Sequence, residues 1–241
     1  MKIDIITLFP NMFTGFLNES IIGRAIKEKK VEINLVNLRE FTKEKHGHVD
    51  DTPFGGGAGM VLMCQPVFDC IKSLRKDNSI VIMMTPQGKT FNQGVAKELV
   101  IKDHIILLCG HYEGFDERIR SIVDYELSIG DFVLTGGEMP AMAITDSIVR
   151  LLDGVIESDS HEYDSYRNWM LEHPQYTKPR NYEGMEVPEV LCNGNHKEIE
   201  KYKIKESLRR TYLRRTDLLE KHELTKEERI LLDEIIKEEK C

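Results

Sequence analysis

The chain has 241 residues, 41% of them hydrophobic and 31% charged, with a formal net charge of −8. This composition suits a soluble protein that buries a core, as one large domain or a main domain with a smaller appendage. It offers no run of 18 apolar residues for a transmembrane helix, and its five cysteines form no CxxC pair. An odd cysteine count in a chain this size fits a reducing cytoplasm better than a disulfide scaffold.

In chain order, KIDIITLF (2–9) and VEINLVNL (31–38) read as strands on either side of a helical stretch, 20–30. The segment 46–60, HGHVDDTPFGGGAGM, is the most glycine-rich part of the sequence and reads as a loop. A helix over 65–76 follows, and then strands alternate with helices. The strands are 80–85, 104–109 and 125–134; the helices start at Asn92 and Phe115, and a third runs to Leu152. Strands separated by helical patterns predict a parallel sheet with helices on both faces, an α/β fold. From Asp153 to about Pro174 the pattern breaks up and reads as a linker. The remainder is helical: Asn195 with Glu198, and Thr225 with Glu228, carry the spacing of capping boxes.

Some motifs are missing. No GxxxxGK[ST] loop and no GxGxxG between a strand and a helix occurs, so neither an NTPase nor a dinucleotide enzyme is indicated. His46, His48, Asp50 and Asp51 lie close in sequence but in a glycine loop, where solvated polar side chains are expected, and no metal site is assigned. What stands out is three glycine-bearing turns at the ends of apolar runs: TPQG (85–88), CGHYEGFDERI (109–119) and IGDFVLTGGEMPA (129–141). In an open α/β sheet such turns converge on the edge where ligands bind. Pro140 suits the first turn of the helix that follows, where a missing N–H costs nothing.

Taken together and in this order, the three segments resemble the bacterial tRNA (guanine-N1)-methyltransferases that act on the guanosine 3′ of the anticodon. The resemblance covers nearly the whole chain. It implies a SPOUT-class fold with a C-terminal trefoil knot in the catalytic domain, over residues 1–158. A flexible linker, 159–174, and a small all-helical tRNA-binding domain, 175–241, would complete the chain. It also implies a cytoplasmic homodimer with its active site at the subunit interface, and S-adenosylmethionine as methyl donor. Magnesium stimulates members of the family, but no ligand set in this sequence shows where an ion would bind.

By the same resemblance the cofactor cradle comprises Thr85, Pro86, Gly88, Cys109, Gly110, Tyr112, Glu113, Gly114, Ile129, Gly130, Asp131, Phe132, Val133, Leu134, Gly136, Gly137 and Pro140. Main-chain amides and carbonyls would read the adenine there. Asp164, in YDSY, matches the family's general base. Guanine N1 keeps its proton at neutral pH, so methylation needs a base; a free Asp, with a reference pKa of about 3.9, is a weak one. Closing aromatic residues over it would strengthen it. Arg150 matches the arginine that meets negative charge developing at guanine O6. The loop glycines Gly57 and Gly59 fall on the substrate side.

The net negative charge argues against a nucleic-acid partner, yet eight Lys and Arg face three acidic residues between Lys197 and Arg215. Lys205, Arg209, Arg210, Arg214 and Arg215 are the candidate phosphate contacts; the competing reading is an amphipathic helix with a solvated face. Three positions depart from the family pattern: Ala58 where proline is usual, His111 where arginine is usual, and Asn168-Trp169 where Asp-Gly is frequent. Two further readings remain open at this level, a methyltransferase acting on ribose or ribosomal RNA and a non-catalytic RNA-binding protein.

Overall fold

The structure, a computed structural model, describes residues 1–156, 165–166 and 168–239. They belong to two compact units, Met1–Ile156 and Glu157–Cys241. In the first, chain order is β1 (Lys2–Thr7), α1 (Thr14–Asn18), α2 (Ser20–Lys27), β2 (Glu32–Asn37), β3 (Asp50–Asp51), β4 (Val61–Leu62), α3 (Cys64–Leu74), β5 (Ser79–Thr90), α4 (Gln93–Val100), β6 (His104–Leu108), β7 (Tyr125–Ser128) and α5 (Glu138–Val149). Five strands form one sheet in the order β2-β1-β6-β5-β7, and every pairing in it is parallel.

The expected two-sided burial is visible residue by residue. Ile3, Ile5, Ile82, Met84, Ile105 and Leu107 face one layer, packed with Ile22 of α2, Leu99 of α4, and Ile144 and Ile148 of α5. Their neighbours Ile6, Val81, Met83, Ile106 and Leu108 face the other, against Val67 and Ile71 of α3. Side chains alternate across a strand, so a strand covered on both faces must be apolar throughout, and β6 is buried at all five positions.

Three expected elements differ. The strand expected to reach residue 134 stops at Ser128, and Phe132, Val133 and Leu134 stand exposed beyond it. The helix expected from Phe115 is a 3₁₀ segment, Glu117–Ile122, whose entry is fixed by the Asp116 side chain accepting from the Arg118 N–H at 3.0 Å. The strand expected to end at Thr85 continues to Thr90. Met84 and Lys89 both pair with Leu127, so residues 85–88 bulge out of the ladder between them.

The second unit contains a two-residue ladder, β8 (Asn181–Tyr182) with β9 (Met185–Glu186), then α6 (His196–Arg214), α7 (Thr216–Leu219) and α8 (Lys226–Glu238). It is therefore not wholly helical. Thr225 and Glu228 complete a reciprocal capping box, with bonds of 3.2 and 2.7 Å. At α6 only the forward bond is formed, from the Glu198 N–H to Asn195. Leu208, Leu231 and Ile235 make a small core with Met170 packed on it. The second half of the expected linker is thus bound to α6: the Leu171 N–H donates to Thr211 Oγ1 at 2.9 Å, and His173 is buried.

Candidate active site

The three glycine turns meet at the C-terminal edge of the sheet and line one cleft of about 380 Å³. Thr85 and Pro86 come from the bulge in β5. Gly110, Tyr112, Glu113 and Gly114 follow β6. Ile129, Phe132, Val133, Leu134, Gly136, Gly137 and Pro140 lie between β7 and the first turn of α5. Four expected cradle residues do not line it. Cys109 is buried beneath, where burial, with the nearby Glu138 carboxylate adding to it, pushes its thiol well above the usual range. Gly130 and Asp131 lie on the turn behind Phe132. Gly88 lies flat on β7, where a Cβ would stand 2.5 Å from the Leu127 nitrogen. Its glycine serves strand packing.

Gly137 holds the centre. A Cβ there would meet Cys109 Cα at 2.7 Å and the Gly110 nitrogen at 2.8 Å, and its own N–H donates to the Gly110 carbonyl at 2.8 Å. Two turns from distant segments therefore touch main chain to main chain, which any side chain would prevent. Such a surface suits a ligand read through backbone amides and carbonyls, with Tyr112, Phe132 and Leu134 supplying apolar contact. The bulge is steadied by Arg120, which donates to Gln87 Oε1 at 2.7 Å and to Glu117 at 2.9 Å, and also pairs with Glu126.

Beneath the cleft lies a network that sequence reasoning missed. Glu138, at the first position of α5, is 1% exposed. It accepts from Thr7 Oγ1 at 2.7 Å, and its other oxygen is 2.7 Å from His111 Nε2. Thr7 Oγ1 accepts in turn from the Phe9 N–H at 2.9 Å. An acidic residue in a helix first turn normally faces water and favours the dipole. Nothing near Glu138 in the chain marks it as paired with a threonine 131 positions away.

The loop glycines occupy the β3–β4 hairpin, Gly57 at φ +134° and Gly59 at φ +85°. The hairpin is joined to the β6 turn by main-chain bonds: Glu113 N–H to Met60 O, Leu62 N–H to Gly114 O, and Asp116 N–H to Leu62 O, each 2.9 Å. Of the two proposed reactive residues, Arg150 does not line this cleft. Arg150 caps the C-terminal end of α5, about 20 Å along the helix from Gly137 at 1.5 Å per residue. Asp164 lies outside the described residues.

On the second unit, three of the expected phosphate contacts are engaged within the chain. Lys205 pairs with Glu234 (3.1 Å) and Glu238 (2.9 Å), and Arg215 with Asp217 (2.7 Å). Arg209 pairs with Glu206 (3.1 Å), Glu239 (2.6 Å) and Glu238. Arg210 and Arg214 form no ion pair among the described residues. Also among the described residues, no group of three His, Cys, Asp or Glu could hold a metal, and no helix is long and apolar enough to cross a membrane.

The chain is similar to known proteins along nearly its whole length. The sequence profile of the family tRNA (Guanine-1)-methyltransferase TrmD matches residues 1–221. Curated relatives named tRNA (guanine-N(1)-)-methyltransferase include one from Fusobacterium nucleatum, 56% identical over 240 residues, covering 99% of this chain and all of its own. One from Dictyoglomus turgidum is 52% identical over 239 residues (99% of this chain, 98% of its own), and one from Bacillus cereus strain AH820 is 54% identical over 240 (98% of each). A backbone-lined cleft at the end of a parallel sheet and similarity across the full length agree: the chain is an enzyme that belongs to the tRNA (guanine-1)-methyltransferase family.

Proposed function

We propose that the chain methylates N1 of the guanosine 3′ of the anticodon, position 37 of tRNA, in the cytoplasm, where its tRNA substrate is used. The observation that carries this is the Gly110–Gly137 contact, which leaves main-chain groups of three segments facing one cleft in a chain that matches the family throughout. The cradle fits S-adenosylmethionine: Gly136 and Gly137 have no room for side chains, and the lining offers backbone polar groups beside apolar rings. When bound, the cofactor supplies an electrophilic methyl group. Asp164 takes the proton that guanine N1 gives up, and Arg150 meets the negative charge that builds on O6.

Two observations support a homodimer with a shared site as part of this proposal. Arg150 lies a helix length from the cleft of its own chain, which favours a site completed by another subunit's Arg150. Beside the cleft Phe132, Val133 and Met139 are 54%, 82% and 56% exposed, and apolar surface of this kind marks an interface. The knot, the tRNA-binding role of the second unit, and the 159–174 segment as the bridge that brings Asp164 to the partner's cofactor complete this reading.

The test is complementation. Asp164→Ala should lower methyl transfer by roughly 10²–10⁴-fold while cofactor binding holds. Gly137→Trp should abolish cofactor binding. Co-refolded mixtures of the two should recover about a quarter of wild-type activity on labelled-methyl transfer to tRNA, because half the dimers are mixed and each has one intact site. Nucleoside mapping should find the label on N1 of guanosine. Mass-verified mixed dimers without activity would place both halves of the site within one chain.

A further inference from the structure

We propose that Trp169 and Tyr166 form a stacking platform for unpaired nucleobases of the RNA substrate, each ring backed by a basic side chain of the second unit. The proposal rests on the tRNA reading and adds to it a recognition surface that is aromatic, not ionic. Both residues occupy a short turn in the left-handed backbone region, Tyr166 at φ +72° and Trp169 at φ +60°, conformations that bulky residues rarely adopt. The turn is nonetheless firmly tied. The Tyr166 N–H donates to the Met170 carbonyl at 2.8 Å, the Glu172 N–H to Ser165 Oγ at 3.0 Å, and the Leu171 N–H to Thr211 Oγ1 on α6. Met170 is drawn into the core formed by Leu208, Leu231 and Ile235.

The anchoring therefore packs the aliphatic member of the turn, partly buried, against that core and leaves the two large aromatic ones outside, Tyr166 at 43% exposure and Trp169 at 40%. Strained backbone that presents apolar rings to water points to a ligand. The charges beside the rings identify its class. Lys221 Nζ lies 5.4 Å from the Trp169 ring centroid, and Arg215 Cζ lies 5.9 Å from that of Tyr166. Both are within cation–π range. Arg215 is engaged by Asp217, while Lys221 forms no ion pair among the described residues; an apolar protein partner would have to desolvate Lys221, whereas a polyanion with flat, unpaired bases satisfies ring and charge together. Base faces are open only in single-stranded RNA, so the ligand is loop nucleotides, not duplex stem.

Trp169 is the chain's sole tryptophan, so its emission reports on this surface alone. The full-length protein is titrated with a short hairpin RNA carrying an unmodified anticodon loop, with tryptophan emission and the anisotropy of end-labelled RNA followed in parallel. Saturable quenching that tracks the anisotropy, and is lost when the loop nucleotides beside the target guanosine are made abasic, is expected. Trp169→Ala should weaken RNA binding on the order of 10- to 100-fold, with cofactor affinity and the salt slope unchanged, and Trp169→Phe should restore most of it. Bound RNA with unchanged emission, or quenching that survives abasic loops, overturns the platform and leaves the tRNA reading intact. RNA that does not bind at all overturns both.

Discussion

Near the end of the sheet where the strands begin, His104 Nε2 lies 2.9 Å from an Asp4 carboxylate oxygen; at the end where they finish, His111 Nε2 lies 2.7 Å from Glu138. The chemistry of the two pairs is the same and their surroundings are not. Asp4 also accepts from Lys2 and Asn34, both at 3.0 Å, and His104 Nδ1 meets Ser79 Oγ at 2.7 Å. Ser79 Oγ also accepts from the Lys76 N–H at 2.7 Å, so the serine is held from both sides. Every group in this chain of bonds has a partner, and the His104 side chain is 4% exposed. Glu138 also meets Thr7, but the His111 ring is 16% exposed and stands in the wall of the cleft. One pair closes a core; the other supports a surface. A Ser–His–Asp alignment is thus no evidence of catalysis when nothing can reach it.

The contrast predicts where function and stability separate. Asp4→Ala leaves His104 buried without its acceptor and should cost about 3–5 kcal/mol of stability, read by denaturant unfolding. The KM values of the folded fraction should be unchanged. A matching rise in cofactor KM would show that the two ends are coupled and that the contrast is false. Gly137→Ala should do the reverse. Its stability cost should be about 1–3 kcal/mol from the clash with Cys109 and Gly110, while calorimetry finds cofactor binding lost or weakened beyond that cost.

Acid titration sharpens the same division. Burial alone raises the Asp4 carboxyl, but hydrogen bonds from Asn34, Lys2 and His104 outweigh it and hold the group below its ordinary value of 3.8. Asp4 therefore contributes stability that is fully present above the unfolded-state value and is lost as pH falls through the lower folded value. In Asp4→Asn the fall in stability below about pH 4 should be shallower than in wild type. An unchanged acid limb would assign it to other carboxylates. The smallest effect is expected at the open end: Glu138→Gln can still accept from Thr7 and meet His111, so stability should fall by about 1 kcal/mol or less. Cofactor affinity should fall several-fold, since an amide replaces the carboxylate that holds the His111 ring in the cleft wall.

How far the sequence disclosed this follows from the range of each interaction. Apolar runs such as HIILL declare a buried parallel strand without help, because both faces must be covered. Thr225 and Glu228 announce a helix start because the whole signal lies within four residues. The bulge at 85–88 was legible as a turn from Pro86 and Gly88. The return of the chain to pair again with Leu127 was not, since that depends on β7. The segment after Phe115 has a helical pattern, and it yields to a 3₁₀ turn because Asp116 N–H is bound to Leu62. The cradle was visible as three glycine turns. Glu138 was hidden, because its partner Thr7 sits in the first strand and nothing near either residue marks the pair.

The three main-chain bonds between the β3–β4 hairpin and the β6 turn have a thermodynamic consequence. A ligand that tightens the turn also tightens the hairpin, so whatever factor the cofactor adds to RNA affinity, RNA must return to cofactor affinity. Because the ties are peptide groups, substitutions along the hairpin, Ala58 among them, leave this linkage standing. The coupling between the two substrates is then carried by the backbone and has the same size whichever of them binds first.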